Sequence, residues 1–241
     1  MIGLLIHFLR EQIDKKRTKS RVKLMKQELT VKLLCEEARV FAEAESGYAE
    51  PMIYGVTDGK AVGTYLEHKF QAYLRGRYTY EEGSSARGID FPKLGVDIKV
   101  TSIKQPQSSC PFKNARQKIF GLGYSLLVFV YEKADDQQTR TARLNILHGI
   151  FIEAERTADY QITTGILNIL KNNANRDDIV AFMQDHLLPV EEVQAMEIAD
   201  EIMANPPNIG YLTISNALQW RLQYRRVIDE AGKIEGIYRI R

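Results

Sequence analysis

The alternation of apolar and polar residues predicts a central β-sheet. In residues 96–101, valine and isoleucine alternate with polar residues, which is the pattern of a strand with one buried face. Residues 126–131 are continuously apolar and rich in strand-forming types, as expected for a strand buried on both faces. Residues 145–152 and 234–240 are two further strand candidates. These segments lie between stretches with a helical pattern, so we expect a sheet flanked by helices.

The remaining apolar positions recur at helical spacing. Residues 1–45 are rich in Glu, Lys, Arg, Leu and Ala and contain no proline, and we predict that they are helical. A second helix is expected to start at Thr57 as its cap and to end near Gly76. From about residue 163 the pattern is helical again, with Pro189 opening one helix. Residues 216–231 are predicted to form the last helix, capped by Ser215.

We therefore predict an α/β (α+β) fold in which helices flank a mixed central sheet. The predicted helical segment over residues 1–50 forms an N-terminal extension, residues 51–155 form a core domain, and residues 156–241 form a mainly helical C-terminal lobe.

The composition indicates the compartment of the protein but does not identify its binding partners. The chain has 33 Lys and Arg against 31 Asp and Glu, and this small excess neither demands nor excludes a polyanion. The basic run over residues 15–23 fits either a solvated face or contact with a phosphate backbone. Cys35 and Cys110 are far apart, which argues against a disulfide scaffold and favours the cytoplasm. The apolar run over residues 1–9 is too short to span a bilayer, and we predict no membrane association.

The stretch from Gly88 to Lys99 carries the clearest chemical signal. Pro92 and Gly95 suit a tight turn between two short strands, with Asp90 at the end of the first. Asp97 and Lys99 are two residues apart on the second strand, so their side chains point to one face. A hairpin of this kind gathers two carboxylates and one ammonium.

This grouping suits the hydrolysis of a phosphodiester bond. Mg²⁺ prefers carboxylate and carbonyl oxygens, so Asp90, Asp97 and the backbone carbonyl of Ile98 are candidate ligands. Lys99 would orient the attacking water or stabilise the transition state. The simpler alternative is a set of surface salt bridges, because an aspartate followed by a strand with a lysine is common by chance. The four histidines, His7, His68, His148 and His186, show no ligand or triad spacing.

The hairpin closely resembles the catalytic hairpin of the PD-(D/E)xK nuclease superfamily, in particular that of MutH-like nicking endonucleases and of type II restriction endonucleases that cut GATC. Asp97 stands where that family has glutamate. Residues 62–67 resemble the family's Val-Gly-x-x-Leu-Glu pattern, which implies that Glu67 is an active-site acid and a metal ligand. Residues 115–119 resemble its Arg-x-Lys segment, which implies an active-site role for Lys118.

The resemblance also implies a two-lobed fold that holds double-stranded DNA in a cleft. Polar and basic side chains of the second lobe would read base edges. On this resemblance, residues 51–155 would be the catalytic core and residues 156–241 the lobe that recognises DNA. Residues 104–110 could bind phosphates or bases, and an exposed loop is the alternative. Residues 216–226 could form a helix that reads the major groove, and a surface helix with Trp220 turned inward is the alternative. The candidate DNA-binding residues are Lys60, Lys104, Gln105, Gln107, Arg116, Arg221 and Arg225.

The main hypothesis is a sequence-specific type II restriction endonuclease that uses Mg²⁺ and no small-molecule cofactor. It would act as a homodimer, because two cuts in a symmetric site match two-fold protein symmetry. Three alternatives stay open: a MutH-like repair nicking enzyme, a DNA-binding module that has lost catalysis, and a helical interaction protein with a basic N-terminal helix. The last of these leaves the hairpin unexplained.

Overall fold

The structure is a computed structural model that describes residues 26–83, 88–110, 114–215 and 220–241. The predicted helix and basic run within residues 1–25, and the start of the predicted last helix at residues 216–219, lie outside the described residues. In chain order the elements are β1 (Gln27–Glu28), α1 (Val31–Ser46), α2 (Gly59–Arg75), β2 (Tyr78–Thr79), β3 (Val96–Ser102), β4 (Gln107–Ser109), α3 (Ala115–Phe120), β5 (Ser125–Asp136), β6 (Thr141–Ile152), a 3₁₀ turn (Ala154–Arg156), α4 (Tyr160–Lys171), α5 (Arg176–Asp185), α6 (Glu192–Ala204), β7 (Thr213–Ser215), β8 (Arg221–Gln223), α7 (Arg225–Glu230) and β9 (Ile237–Arg239).

The main sheet has the order β3-β5-β6-β9 and is mixed, which confirms a mixed α and β fold. β3 runs parallel to β5, whereas β5–β6 and β6–β9 are antiparallel pairs. All four strand candidates of the sequence are present, and β5 and β6 extend beyond their predicted bounds. β3 is the outer strand of this sheet, so one of its edges is left without a strand partner.

Helices α1 and α2 cover one face of the main sheet. Their aromatic side chains meet at the centre of this layer, where the ring centroids of Phe41 and Phe70 lie 4.9 Å apart and those of Phe70 and Phe129 lie 5.3 Å apart. Helix α2 comes very close to β3, since a β-carbon on Gly63 would lie 3.4 Å from the carbonyl oxygen of Val100. Gly63 therefore sets how near the helix, and Glu67 one turn later, can lie to the sheet.

The N-terminal region differs from the predicted continuous helix. Gln27 and Glu28 pair in parallel with β2, and the hydroxyl of Thr30 accepts a hydrogen bond of 3.2 Å from the Leu33 amide. Thr30 is therefore the N-cap of α1, and the prediction of one helix across residues 1–45 is wrong at this point. For α2, Asp58 rather than Thr57 is the cap.

The other face of the main sheet is covered largely by a second sheet. Strands β4, β8 and β7 form it in this order, with both pairs antiparallel. Its inner side and α7 pack on β5 and β6 through a continuous core. The predicted helix over residues 216–231 is wrong for residues 221–223, which form β8, because alternation buries Leu222 between half-buried Arg221 and Gln223.

Helices α3 to α6 pack together around a core of their own. Pro189 does not open a helix, because α6 begins at Glu192 after its cap at Glu191. After α6 ends at Ala204, the described residues contain one further short helix, α7, together with strands β7 and β8, and β9 returns to the main sheet. Within the described residues, no helix is both long and apolar enough to traverse a membrane. Cys35 and Cys110 are not joined by a disulfide.

Candidate active site

The site is built on the tight turn that precedes β3. Phe91 and Val96 form an antiparallel bridge, with the Phe91 amide 2.9 Å from the Val96 carbonyl oxygen. Gly95 lies in the left-handed region with φ of 61°, which an ordinary side chain rarely adopts. The first strand of the predicted hairpin is thus a single bridged residue, and it places Asp90 beside the outer edge of β3.

Two hydrogen bonds fix the carboxylate of Asp90. The Ile98 amide donates to Oδ2 at 2.9 Å, and the Gln71 side-chain amide donates to Oδ1 at 2.9 Å. Gln71 was missed in the sequence, although it lies one helical turn after Glu67 on the same side of α2. This spacing was the signal that could have found it.

Asp97 and Lys99 share the face of β3 that lies opposite α2. Their side chains form an ion pair with 2.5 Å between Lys99 Nζ and Asp97 Oδ2. The Asp90 amide donates to Asp97 Oδ1 at 3.3 Å. Asp97 is almost fully buried, and Oδ2 accepts no hydrogen bond of good geometry from the described residues, so Lys99 alone compensates that oxygen.

Glu67 reaches the same edge of β3 from helix α2. The N–H and C=O groups of one strand residue point to the same edge, so the Ile98 amide that binds Asp90 has its own carbonyl on that side. The Val100 backbone, the next group along this edge, hydrogen-bonds Glu67. The Ile98 carbonyl therefore lies between the points where Asp90 and Glu67 are held.

Two of these acids, Glu67 and Asp97, have raised pKa values. Burial and then the charge of Asp90 raise the pKa of Glu67 to about 7, against the pull of Lys99. Burial also raises the pKa of Asp97 to about 6, although Lys99 opposes the shift. We call Glu67, Asp90, Asp97 and Lys99 the hairpin cluster. It concentrates more negative charge than its single ammonium neutralises, and this is the electrostatic signature of a cation site.

Two tyrosines line the same face and were not noticed in the sequence. Burial raises the pKa of Tyr124, with the charge of Asp97 as the next cause. Tyr224 is fully buried, and its hydroxyl lies 2.5 Å from that of Ser108.

The donor chemistry of the cluster fits a divalent cation. Asp90, Asp97 and the Ile98 carbonyl offer the hard oxygen atoms that such ions prefer, and Asp97 Oδ2 is a buried oxygen whose only compensation is an ammonium. The described residues contain no group of three or more His, Cys, Asp or Glu side chains already gathered around one point. The charges of the aspartates therefore act on Glu67, although the three acids do not form a preformed metal site.

Two residues matched by the family segment lie elsewhere. Lys118 is buried, burial lowers its pKa, and the charge that opposes this most is that of Asp159. The Asp159 backbone amide also donates to the Lys118 carbonyl at 2.9 Å, so Asp159 lies next to Lys118. Arg116 forms a two-pronged ion pair with Glu201 of α6, with one N–O distance of 2.8 Å, so its guanidinium is already engaged.

The other predicted DNA-binding residues fall into two groups. Lys60 is exposed at the start of α2, and Lys104 and Gln105 are exposed in the turn between β3 and β4. Gln107 and Arg221 are half-buried on β4 and β8, and Arg225 is exposed at the start of α7. The structure places Lys104, Gln105, Gln107, Arg221 and Arg225 at the second sheet, while Lys60 is on the opposite layer.

Comparison with known proteins gives a consistent match over most of the chain. A family model described as type II restriction enzyme NspV matches residues 28–239. The chain is 65% identical over 209 residues to the type II restriction enzyme NspV of Nostoc sp. (strain ATCC 29411 / PCC 7524), which covers 87% of this chain and 95% of that relative. No solved structure shows significant similarity. The matched span contains the entire hairpin cluster.

Proposed function

The chain belongs to the NspV family of type II restriction enzymes, and from this premise we propose that the hairpin cluster is where it cuts DNA. Membership of the family makes it a sequence-specific endonuclease that acts on DNA. Enzymes of this type generally use divalent metal ions, and we propose Mg²⁺ because the cluster offers carboxylate and carbonyl oxygens. The single observation that carries the proposal is the placement of Asp90, Asp97 and Lys99 together at the outer edge of β3, with Glu67 close enough for their charges to act on it.

Each residue has a distinct role in this proposal. Asp90, Asp97 and the Ile98 carbonyl hold the ion, and Glu67 adds charge from the far side of that carbonyl. When bound, the ion supplies positive charge that stabilises the phosphoryl oxygens and makes water more acidic. Lys99 points from the same face as Asp97 and stabilises charge that develops on the phosphate. Glu67, whose pKa is raised to about 7, can accept a proton from the attacking water near neutral pH.

The same arrangement supports assignment to the PD-(D/E)xK superfamily and its restriction-endonuclease-like fold. A helical glutamate, an acid before a turn and a strand with acid-x-Lys occur here in that order, on a mixed sheet with helices on one face. We also propose that the enzyme cuts double-stranded DNA as a homodimer in the cytoplasm. A symmetric target needs one such cluster for each strand.

Digestion of plasmid and genomic DNA by the purified protein, followed by sequencing of the ends, tests this function. We expect both strands to be cut at one short sequence in Mg²⁺ and no cutting in EDTA. Calcium should support binding without cleavage, because the larger ion positions water less strictly. Nicks in one strand only would favour the MutH-like alternative, and binding without any cleavage in Mg²⁺ would indicate a module that has lost catalysis.

A further inference from the structure

The second sheet carries an array of polar side chains on its outer face. Its register aligns Gln107, Gln223 and Thr213 in one row and Ser109, Arg221 and Ser215 in the next. The residues between these rows point to the opposite face, where Leu222 and Ile214 are buried in the core. The outer face therefore presents two amides, three hydroxyls and one guanidinium.

These side-chain types suit the edges of bases. Glutamine pairs with adenine, arginine with guanine, and serine or threonine with either, through donors and acceptors that the major groove exposes. None of the six is an acid, although the chain has 31 Asp and Glu. The face is thus free of the charge that would repel a polyanion. Strands of this kind can enter a groove of duplex DNA.

The outer face is held firmly in relation to the hairpin cluster. β3 carries Asp97 and Lys99 and continues through a short turn into β4. The Thr101 hydroxyl fixes this turn through two backbone groups. It accepts from the backbone amide of Gln107 at 2.9 Å and donates to the backbone carbonyl of Gln105 at 3.2 Å. Under the sheet, Tyr224 joins Ser108 by a hydrogen bond and lies close enough to Asp97 to be affected by its charge.

Two cations lie together at one end of this sheet. The Tyr224 amide donates to the Pro106 carbonyl at 2.9 Å, which brings the turn before β4 next to the start of α7. Lys104 and Arg225 are both exposed there. Exposed cations beside a row of amides and hydroxyls match the usual division between phosphate contacts, which position the duplex, and base contacts, which specify it.

We propose that the outer face of the β4–β8–β7 sheet reads the base edges of the target DNA, while Lys104 and Arg225 contact its phosphates. The proposal rests on the proposed function and deepens it by assigning Gln223, Thr213, Ser109 and Ser215 to recognition beside Gln107 and Arg221. It also replaces the recognition helix expected from the sequence with a recognition sheet.

The test compares Gln223→Ala and Thr213→Val with Gln138→Ala, a matched change at an exposed glutamine between β5 and β6. Each protein selects duplexes from a random pool in calcium, and its affinity is then measured for every single-base variant of the selected site. We expect the first two changes to reduce discrimination at one base pair by roughly 5- to 100-fold, with the other positions unaffected. Gln138→Ala should select the wild-type sequence unchanged.

Loss of a phosphate contact should affect binding differently from loss of a base contact. Lys104→Ala should weaken binding to all sequences equally and reduce the slope of affinity against salt by about one charge. If Gln223→Ala and Thr213→Val behave in that way, or keep wild-type discrimination at every base pair, the recognition sheet is wrong. Thermal unfolding checks that each variant is folded, and Gln223→Asn and Thr213→Ala replace any that is not. Selection in calcium requires binding but no cleavage. The recognition proposal can therefore fail while the assignment of the hairpin cluster to cleavage holds, and the assignment of the hairpin cluster can fail while the recognition proposal holds.

Discussion

Two groups of acids with a single lysine lie on opposite sides of helix α2, and they differ in how far their charges are satisfied. In the Lys69 cluster (Glu45, Glu50, Tyr65 and Lys69), the ammonium lies 2.9 Å from Glu45 and 3.3 Å from Glu50. The Tyr65 hydroxyl and the Met52 amide also donate to Glu50. Burial alone would raise the pKa of Glu50, but these donors outweigh it and the pKa is lowered.

The hairpin cluster has similar residues and the opposite balance. Glu67 and Asp97 have raised pKa values, and among the described residues only the ion pair with Lys99 compensates the buried Oδ2 oxygen of Asp97. The comparison teaches that carboxylates and a lysine do not by themselves mark a functional site. A structural cluster provides enough donors for its acids, whereas a site that awaits a cation and a phosphate keeps some of its charge unsatisfied.

The largest effect is expected for Asp97→Ala and Lys99→Ala. Each should reduce the rate of DNA cleavage by at least roughly 1000-fold, because Asp97→Ala removes a ligand of the proposed ion and Lys99→Ala removes a cation that stabilises the transition state. Binding to DNA in calcium should persist. Single-turnover cleavage and gel-shift measurements check the two statements, and a variant that cuts at near the wild-type rate would show that the roles are misassigned.

A smaller loss is expected for Gln71→Leu. Without the amide that holds Asp90 Oδ1, the carboxylate can rotate, and cleavage should fall roughly 10- to 100-fold. The Mg²⁺ concentration for half-maximal rate should rise at the same time, which a purely structural role would not produce. The matched control is Gln194→Leu on the exposed side of α6. An unchanged Mg²⁺ requirement in Gln71→Leu would exclude this positioning role.

Lys69→Met should separate the two clusters. It leaves two buried glutamates without their shared cation, so the free energy of unfolding should fall by about 2 kcal/mol. Cleavage by the folded protein should stay within about two-fold of wild type, since only charges outside the hairpin cluster change. Urea unfolding and plasmid cleavage measure these effects. Arg39→Met, which breaks an exposed pair with Glu43, is the control and should cost well under about 1 kcal/mol.

The smallest effect concerns pH, and its sign differs between the clusters. Because the pKa of Glu67 rises from 4.5 to about 7, the folded protein binds more protons than the unfolded chain in this window, and its stability falls as pH rises. In EDTA, Glu67→Gln should therefore gain stability over wild type from about pH 5 to about pH 7.5, by on the order of 1 kcal/mol.

Glu50 should show the reverse. Its lowered pKa contributes stability that is present above the unfolded value of 4.5 and is lost as pH falls through the folded value. Glu50→Gln should thus be most harmful near neutral pH, and its penalty should shrink on acidification. Urea unfolding provides the measurement, from about pH 5 to about pH 7.5 for Glu67→Gln and from neutral pH to below about pH 4.5 for Glu50→Gln. If the stability difference from wild type changes with pH in the same direction for both variants, the contrast between the clusters is refuted.

Local chemistry explains what could be predicted from the sequence. The turn at Pro92 and Gly95, and the alternation on β3, depend on neighbouring residues alone, so Asp90, Asp97 and Lys99 were expected together. Gln71 was missed because its role depends on a contact with Asp90, 19 residues away. β8 was mistaken for helix because a three-residue strand is too short for its alternation to outweigh the basic, polar pattern around it. Lys118 matches a family motif, but its proximity to Asp159 depends on packing between distant parts of the chain, which the sequence does not show.

The carbonyl of Ile98 has a consequence for genetics. The side chain of this residue is 1% exposed and packs in the core, so a survey of substitutions would score the position purely by size and hydrophobicity. The oxygen proposed to hold the ion belongs to the main chain and survives every such replacement. Side-chain substitutions at this position therefore do not measure the contribution of the carbonyl oxygen. Only a change to the peptide group itself, such as an ester at the bond between residues 98 and 99, would reveal it.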